Sequence, residues 1–232
     1  TGSTPTSTET DESMTQTTVN PSPSPTPSPQ PSPTPANLVN ATNHGIYGEI
    51  LVDTNDRALY LFARDSQGQS ECYDDCAEAW PPLTVEGSAS IVAGSGVTAD
   101  LGTIEREDGS LQVTANGMPL YYFVNDEGPG DATGMGLGNV WFLLRPDGSV
   151  LQPTVSMADH ETVGKILTDG EGRTLYMFEP DTENSSACYD DCADAWPPLT
   201  ADDEEAVMPS ASISASLGTL EREDGWLQVS AN

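Results

Sequence analysis

Leu59-Tyr60-Leu61-Phe62 with Asp65, and further on Leu120-Tyr121-Tyr122-Phe123 with Asp126, decide how this chain folds. Alternate side chains of an extended strand face opposite sides. Tyr and Phe therefore share one face, and the intervening Leu61 or Tyr122 points the other way. A third copy reads Tyr176-Met177-Phe178 with Asp181. The Asp falls where the strand ends, where its carboxylate can cap the following turn. Two readings are open for the motif: an aromatic core pair with a turn cap, or a platform on which a ligand stacks.

Working outward, the motif sits inside a larger duplication. Gly48 to Asn116 align with Gly164 to Asn232 without a gap, about half of the positions being identical. Cys72-Tyr73-Asp74-Asp75-Cys76-Ala77 recurs as Cys188-Tyr189-Asp190-Asp191-Cys192-Ala193, and Trp80-Pro81-Pro82-Leu83-Thr84 as Trp196-Pro197-Pro198-Leu199-Thr200. Such self-similarity marks a tandem repeat. The weaker internal match places Trp80 on Trp141, so each module looks like two related halves. The second module reaches Asn232, the counterpart of Asn116, and is expected to be C-terminally incomplete, incompletely packed and open at a sheet edge.

Short apolar runs separated by turn signals read as strands. Glu49–Asp53 and Ala58–Phe62 are expected to form one hairpin, and Leu111–Ala115 and Leu120–Val124 another through Asn116-Gly117. Leu101–Glu105 and Val140–Leu144 are further strands, with turns at Asp108-Gly109 and Asp147-Gly148. The one helical candidate is Tyr73–Trp80, which Pro81-Pro82 stops. The expected fold is mainly β: tandem antiparallel modules, each with one short helix after a Cys-x-x-x-Cys turn. Residues 39–153 form the first module and 154–232 the second.

Residues 1–38 read differently. From Pro21 to Pro35 every second residue is proline, with Ser and Thr between. Proline has no N–H to donate, so a disordered Pro/Ser/Thr-rich stalk is expected, extended as polyproline II over about 45 Å. The start, Thr1-Gly-Ser-Thr-Pro5, fits a chain that follows a lipidated cysteine upstream of Thr1. No apolar run is long enough for a transmembrane helix.

The net charge is −30, from 37 Asp plus Glu against 7 Lys plus Arg. That excludes a nucleic-acid binder working through a basic face. Only Glu9, Asp11 and Glu12 of the acids lie in the stalk, so the surplus belongs to the folded part. Such a surface repels itself at low salt, and screening to about 3 Å at 1 M salt removes that cost. Acids scattered along the chain fit a salt-loving source better than a cation store.

Together with Cys-x-x-x-Cys-Ala-x-x-Trp-Pro-Pro-Leu and Pro129-Gly130-Asp131-x-x-Gly134, the Tyr-x-Phe-x-x-Asp triplets give the chain its likeness. From about residue 45 to 232 it resembles the secreted-repeat lipoproteins with the Tyr-x-[Phe/Trp/Tyr]-x-x-Asp motif, in an acidic version that looks haloarchaeal. The resemblance implies an exported, lipid-anchored protein at the cell surface. It brings no established activity and no catalytic residues.

In an exported protein, paired cysteines at such short spacing suggest local disulfides, Cys72–Cys76 and Cys188–Cys192. Four residues of regular helix are bridged only with distortion, so Cys72 is expected in a turn entering the helix. The competing idea is a metal or redox module. His44 and His160 precede the two cysteine pairs at equivalent positions. His44 with Cys72 and Cys76, or His160 with Cys188 and Cys192, would suit copper or zinc. Asp126 and Asp131 are a weaker candidate pair for calcium.

Asn40 and Asn184 stand in glycosylation sequons. Trp80 and Trp196 are expected to plug the base of a sheet rather than to form an exposed aromatic surface. No catalytic signature is present, neither Gly-x-Ser-x-Gly nor a phosphate loop nor a zinc-protease motif. The expected protein is therefore non-enzymatic and cofactor-free. It is a binding or structural module outside the cell, directed at a cell-envelope or surface component, whether glycan or protein.

Overall fold

The computed structural model describes residues 1–2, 37–86, 91–202 and 207–231. The stalk expected over 1–38 lies outside the described residues, except at its two ends. By contacts the chain separates into Thr1–Thr34 and Pro35–Asn232, and the strands and helices of the described residues all lie in the latter.

Strands β1 (Asn37–His44), β2 (Gly48–Val52) and β3 (Tyr60–Phe62) lead into helix α1 (Asp75–Ala79). After it come β4 (Thr84–Val85), β5 (Val92–Ala93), β6 (Leu101–Glu105), β7 (Leu111–Ala115) and β8 (Met118–Pro119). β9 (Trp141–Leu144) and β10 (Val150–Leu151) complete the first module. The second holds β11 (Val155–His160), β12 (Gly164–Asp169), α2 (Asp191–Ala195), β13 (Thr200–Ala201), β14 (Leu217–Glu221) and β15 (Leu227–Ala231). The fold is mainly β, as the periodicity predicts.

The sheets are small: β2-β1-β5, β10-β9-β3, and β4-β7-β6 with β8 also on β7. The second module repeats the first in register. His44 faces Gly48 and Ala41 faces Leu51 in β1 and β2; His160 faces Gly164 and Met157 faces Leu167 in β11 and β12. Leu101 opposite Ala115 recurs as Leu217 opposite Ala231.

Two expected hairpins come out differently. β2 pairs along its length with β1, not with Ala58–Phe62. Its tie to the latter is a single bridge, Val52 to Ala58, and the amide of Leu59 on the carbonyl of Leu51. Strand β3 instead pairs with the distant β9. Likewise β7 turns through Asn116 and Gly117, both at positive φ, into β8. The hairpin runs as far as Leu120, whose amide bonds to the Val113 carbonyl at 2.9 Å; the chain then leaves the ladder, and Tyr121 forms isolated bridges to Tyr60 and Pro82. The reason is the same in both places: the two Tyr residues exchange backbone bonds with each other, Tyr60 N–H to Tyr121 O at 2.8 Å and the reverse at 2.9 Å. A local hairpin would leave each without its aromatic partner.

The strand alternation feeds two cores. Tyr60 and Phe62 enter one with Ile50, Trp80, Tyr121, Phe123, Met135 and Trp141. Leu59 and Leu61 enter the other with Val39, Leu83, Val113, Leu120, Phe142 and Leu144. Burying side chains of this size contributes about 1.5–3 kcal/mol each. Both faces of β3 are therefore held, which suits a strand of only three residues.

Helix α1 begins after Asp74, whose φ of 49° and ψ of −128° are non-helical, and stops at Trp80. Pro81 follows and cannot continue the ladder. α2 repeats this at Asp190 and Trp196.

Candidate functional site

The three motif copies and what they touch are the natural place to look for function. In the first module the two halves meet about a pseudo-two-fold axis. Tyr60 donates its hydroxyl to Asp126 at 2.6 Å, and Tyr121 donates its own to Asp65 at 2.6 Å. Trp80 and Trp141 stack at the centre. Phe62 stacks on Trp141 and Phe123 on Trp80, each with ring centroids 4.2 Å apart. Tyr60 meets Trp80 edge to face, and Tyr121 meets Trp141 in the same way. The rings run Phe62, Trp141, Trp80, Phe123 in one pile.

Each carboxylate also holds its loop. Asp65 accepts the amide of Glu71 at 2.7 Å, and Asp126 accepts the amide and hydroxyl of Thr133. Asp131 accepts the amides of Glu127 and Gly128. Gly134 is bare where it must be, because a Cβ there would come within 2.5 Å of the Trp80 ring. The Pro-Gly-Asp-x-x-Gly segment is thus a tight lid on the tryptophan.

Burial sets the protonation states. The phenol of Tyr60 is pushed far up, first by burial and then by the charge of Asp126. That of Tyr121 is raised by burial and by its bond to Asp65. Burial also lifts the Asp65 carboxyl, against the lowering pull of its hydrogen bonds from Tyr121 and Glu71. Both phenols are therefore donors at any ordinary pH. The arrangement offers no free nucleophile and no unengaged acid or base.

Both cysteine pairs are disulfides, with Cα atoms 5.2 Å apart. Cys72 precedes α1 and Cys76 lies in its first turn, as the spacing requires. The residues that position this clip are ones that no sequence motif marks. Arg106, buried, donates to the Cys72 carbonyl at 2.7 Å, to Gln112 at 2.6 Å and to Ser70 at 2.9 Å. Its guanidinium lies over the Tyr73 ring. Ser70 Oγ also accepts the Cys72 amide, so its own proton goes to Tyr121, 2.7 Å away. A directed chain runs Arg106, Ser70, Tyr121, Asp65. It links a buried cation to a buried carboxylate through two hydroxyls, while Nε of Arg106 is buried without a hydrogen-bond partner. Arg222 repeats the clamp on Cys188, Gln228, Ser186 and Tyr189. One signal was available: Glu-Arg-Glu-Asp-Gly stands unchanged in both modules.

The histidines do not join the cysteines. His44 directs Nε2 to the Gly130 carbonyl at 3.1 Å and stacks on Tyr47. It lines a cleft of 220 Å³ with Asp56 and Asp131, smaller than usual small-molecule sites of about 300–1,000 Å³. His160 is exposed. Among the described residues no three of His, Cys, Asp and Glu are grouped as metal ligands. The copper or zinc sets of His44 with Cys72 and Cys76, and of His160 with Cys188 and Cys192, are therefore not assembled. Asp126 and Asp131 each accept backbone amides of the one loop that holds them both, Thr133 for Asp126 and Glu127 with Gly128 for Asp131. Of the sequons, Asn40 is half-buried in β1, whereas Asn184 is exposed between Thr182 and Ser185.

The third motif copy is built but uncovered. Tyr176 meets Trp196 edge to face at 5.4 Å, and Asp181 accepts the amide of Ala187 at 2.7 Å. Trp80 is buried as a plug; Trp196 is exposed.

The model of a family described as a secreted repeat of unknown function matches residues 42–84, 102–145 and 157–200. Each of the three stretches carries one Tyr-x-Phe motif, and Leu217–Ala231 repeats the hairpin that opens the second of them. The chain belongs to this family of secreted repeats. No curated protein and no solved structure matches it.

Proposed function

We propose that this member of the secreted-repeat family is a lipid-anchored cell-surface protein of halophilic type that acts as a non-enzymatic binding or structural module. Its position is extracytoplasmic, and its partner is a component of the cell envelope or surface. The observation that carries the reading is how the first module uses its motif. Tyr60, Phe62, Asp65, Tyr121, Phe123 and Asp126 are buried against one another, and their polar atoms bond to one another and to adjacent loops. Residues so engaged hold a shape rather than perform chemistry. Two disulfides fit an oxidising environment, and no helix of the described residues is long and apolar enough to cross a membrane.

The acidic surface supports the halophilic part, since a chain of net charge −30 gains most from screening. The test is protease shaving of intact cells in brine. Release of the repeats, with a residual fragment left in the membrane fraction, is the expected result. Repeats that stay protected until the cells are lysed would overturn the reading.

A further inference from the structure

Two Asn-x-Ser/Thr triplets without proline occur in the chain, Asn40-Ala41-Thr42 and Asn184-Ser185-Ser186. We infer that Asn184 carries an N-linked oligosaccharide and that Asn40 does not. The inference rests on the extracytoplasmic reading above, since such triplets act as acceptors in secreted proteins.

Asn184 stands at the tip of a tight turn. The Thr182 amide donates to the Ser185 carbonyl at 2.9 Å and the Ser185 amide to the Thr182 carbonyl at 3.3 Å, which leaves Glu183 and Asn184 beyond the bridge. Asp181 fixes the base of the loop through the Ala187 amide. The exposure of Asn184 belongs to the turn and not to the end of the chain, because the first module, whose Tyr-Phe face is covered, shows the same pattern. There the bridge joins Ser66 and Gln69, and the counterpart of Asn184 is Gly68. Gly68 is exposed, and a Cβ built on it meets nothing within 4 Å. The later strands reach this turn only through the Gln67 side chain, which donates to the Asn116 carbonyl, and the Gly68 amide, which donates to the Gly117 carbonyl. A repeat packed in the same way on the third would reach Glu183 and the backbone of Asn184, and would leave its carboxamide in solvent.

Asn40 differs in each respect. It lies within β1 opposite Val52 and is half-buried. Its carboxamide sits against Gly94, where a Cβ would fall 1.8 Å from Asn40 Oδ1 and 2.8 Å from its Cγ. A sugar on that carboxamide competes for this space with Gly94, whose amide donates to the Val39 carbonyl at 2.7 Å. Chains modified there do not close β1 on β5.

The transfer balances with one co-reactant, an oligosaccharide activated on a lipid phosphate. Its C1 bonds to Asn184 Nδ2, the C1–O bond to phosphate breaks, the electron pair leaves with the phosphate, and Nδ2 gives up one proton. Ser186, which completes the triplet, is buried in the finished fold, its Oγ accepting the Cys188 amide and an Arg222 N–H, each at 3.2 Å. That hydroxyl is out of a transferase's reach once Arg222 docks. Transfer therefore precedes closure of the clamp, and the turn then displays the product.

The experiment is peptide mass measurement after trypsin digestion of the repeats, both shaved from intact cells and taken from lysed ones. Asn184 is the one asparagine in residues 174–222, the stretch that ends at Arg222. This peptide should be heavier by whole sugar residues. Asn184→Gln should remove the entire increment and leave circular dichroism unchanged, since the position touches only solvent. Electron-transfer fragmentation of the peptide ending at Arg57 should find Asn40 bare. A bare Asn184 in repeats released from the cell surface overturns this inference and leaves the location standing. Repeats protected until lysis, with Asn184 bare, overturn both. An increment that survives Asn184→Gln, or a sugar on Asn40, overturns the inference as well.

Discussion

Trp80 and Trp141 lie face to face, with ring centroids 3.9 Å apart and planes 4° from parallel. They stand at the same place in two successive repeats, so the stack is where one repeat recognises the other. Alternatives to a sandwich are usually preferred for aromatic pairs. Here the outer rings Phe62 and Phe123 fix the pile from both ends.

Truncating the centre of that pile should therefore be costly. Trp80→Ala is expected to lose about 3–5 kcal/mol, read as a shift in urea midpoint at fixed high salt. Trp196→Ala, at the equivalent but uncovered position, should change the stability of its own chain by less than about 0.5 kcal/mol. Equal losses at the two sites would contradict the burial difference.

Arg106→Met should destabilise by about 3 kcal/mol or more. It strips donors from the Cys72 carbonyl, Gln112 and Ser70 at once, in a buried place. Lys165→Met provides the contrast. Its ion pair with Asp159 is 3.4 Å long and largely solvent-exposed, and such a pair contributes little. Urea titration of both variants checks the ordering.

The disulfides close loops of only five residues, Cys72 to Cys76 and Cys188 to Cys192. Loop-closure entropy then gives about 2 kcal/mol each. The double change Cys72→Ala with Cys76→Ala should cost about that amount and keep the fold. Intact mass after alkylation without reduction should show all four cysteines unmodified.

Two aspartates should give opposite pH slopes. The Asp65 carboxyl is raised above its ordinary 3.8, chiefly by burial. Folding then takes up a proton, and stability falls as pH climbs from 3.8 through the raised value. Asp65→Asn should remove that decline. For Asp169 burial pulls upward, but hydrogen bonds from Arg173 and Glu171 and the Arg173 charge prevail, and the carboxyl lies below 3.8. Its stabilisation is complete above 3.8 and lost as pH falls through the folded value, so Asp169→Asn should flatten the acid limb. Urea midpoints measured from acid to neutral pH separate the two, and slopes of the same sign would contradict the assignment.

The sequence carried the faces more clearly than the partners. Alternation alone places Tyr60 and Phe62 on one side of a strand and Leu61 on the other, and the two cores divide there. Asp-Gly turns at 108–109 and 147–148 read correctly, since Ser110 and Ser149 amides close onto those aspartates. What period and turn chemistry cannot give is which strand Tyr60 meets. A local hairpin with β2 has the shorter loop, yet the long-range exchange with Tyr121 wins because it buries two phenols and two indoles together. Arg106 stayed hidden for a related reason. A single arginine amid acids reads as a solvated charge until its carbonyl and hydroxyl partners, far apart in the chain, are brought around it.

The reciprocal bonds of Tyr60 and Tyr121 carry a counting rule. The segment that a gene would copy is one half-module, but the smallest piece that can hide its own rings is two. Growth by single copies would thus alternate between sealed assemblies and ones with a free valence, and parity, more than length, would set whether such a chain is self-sufficient or sociable.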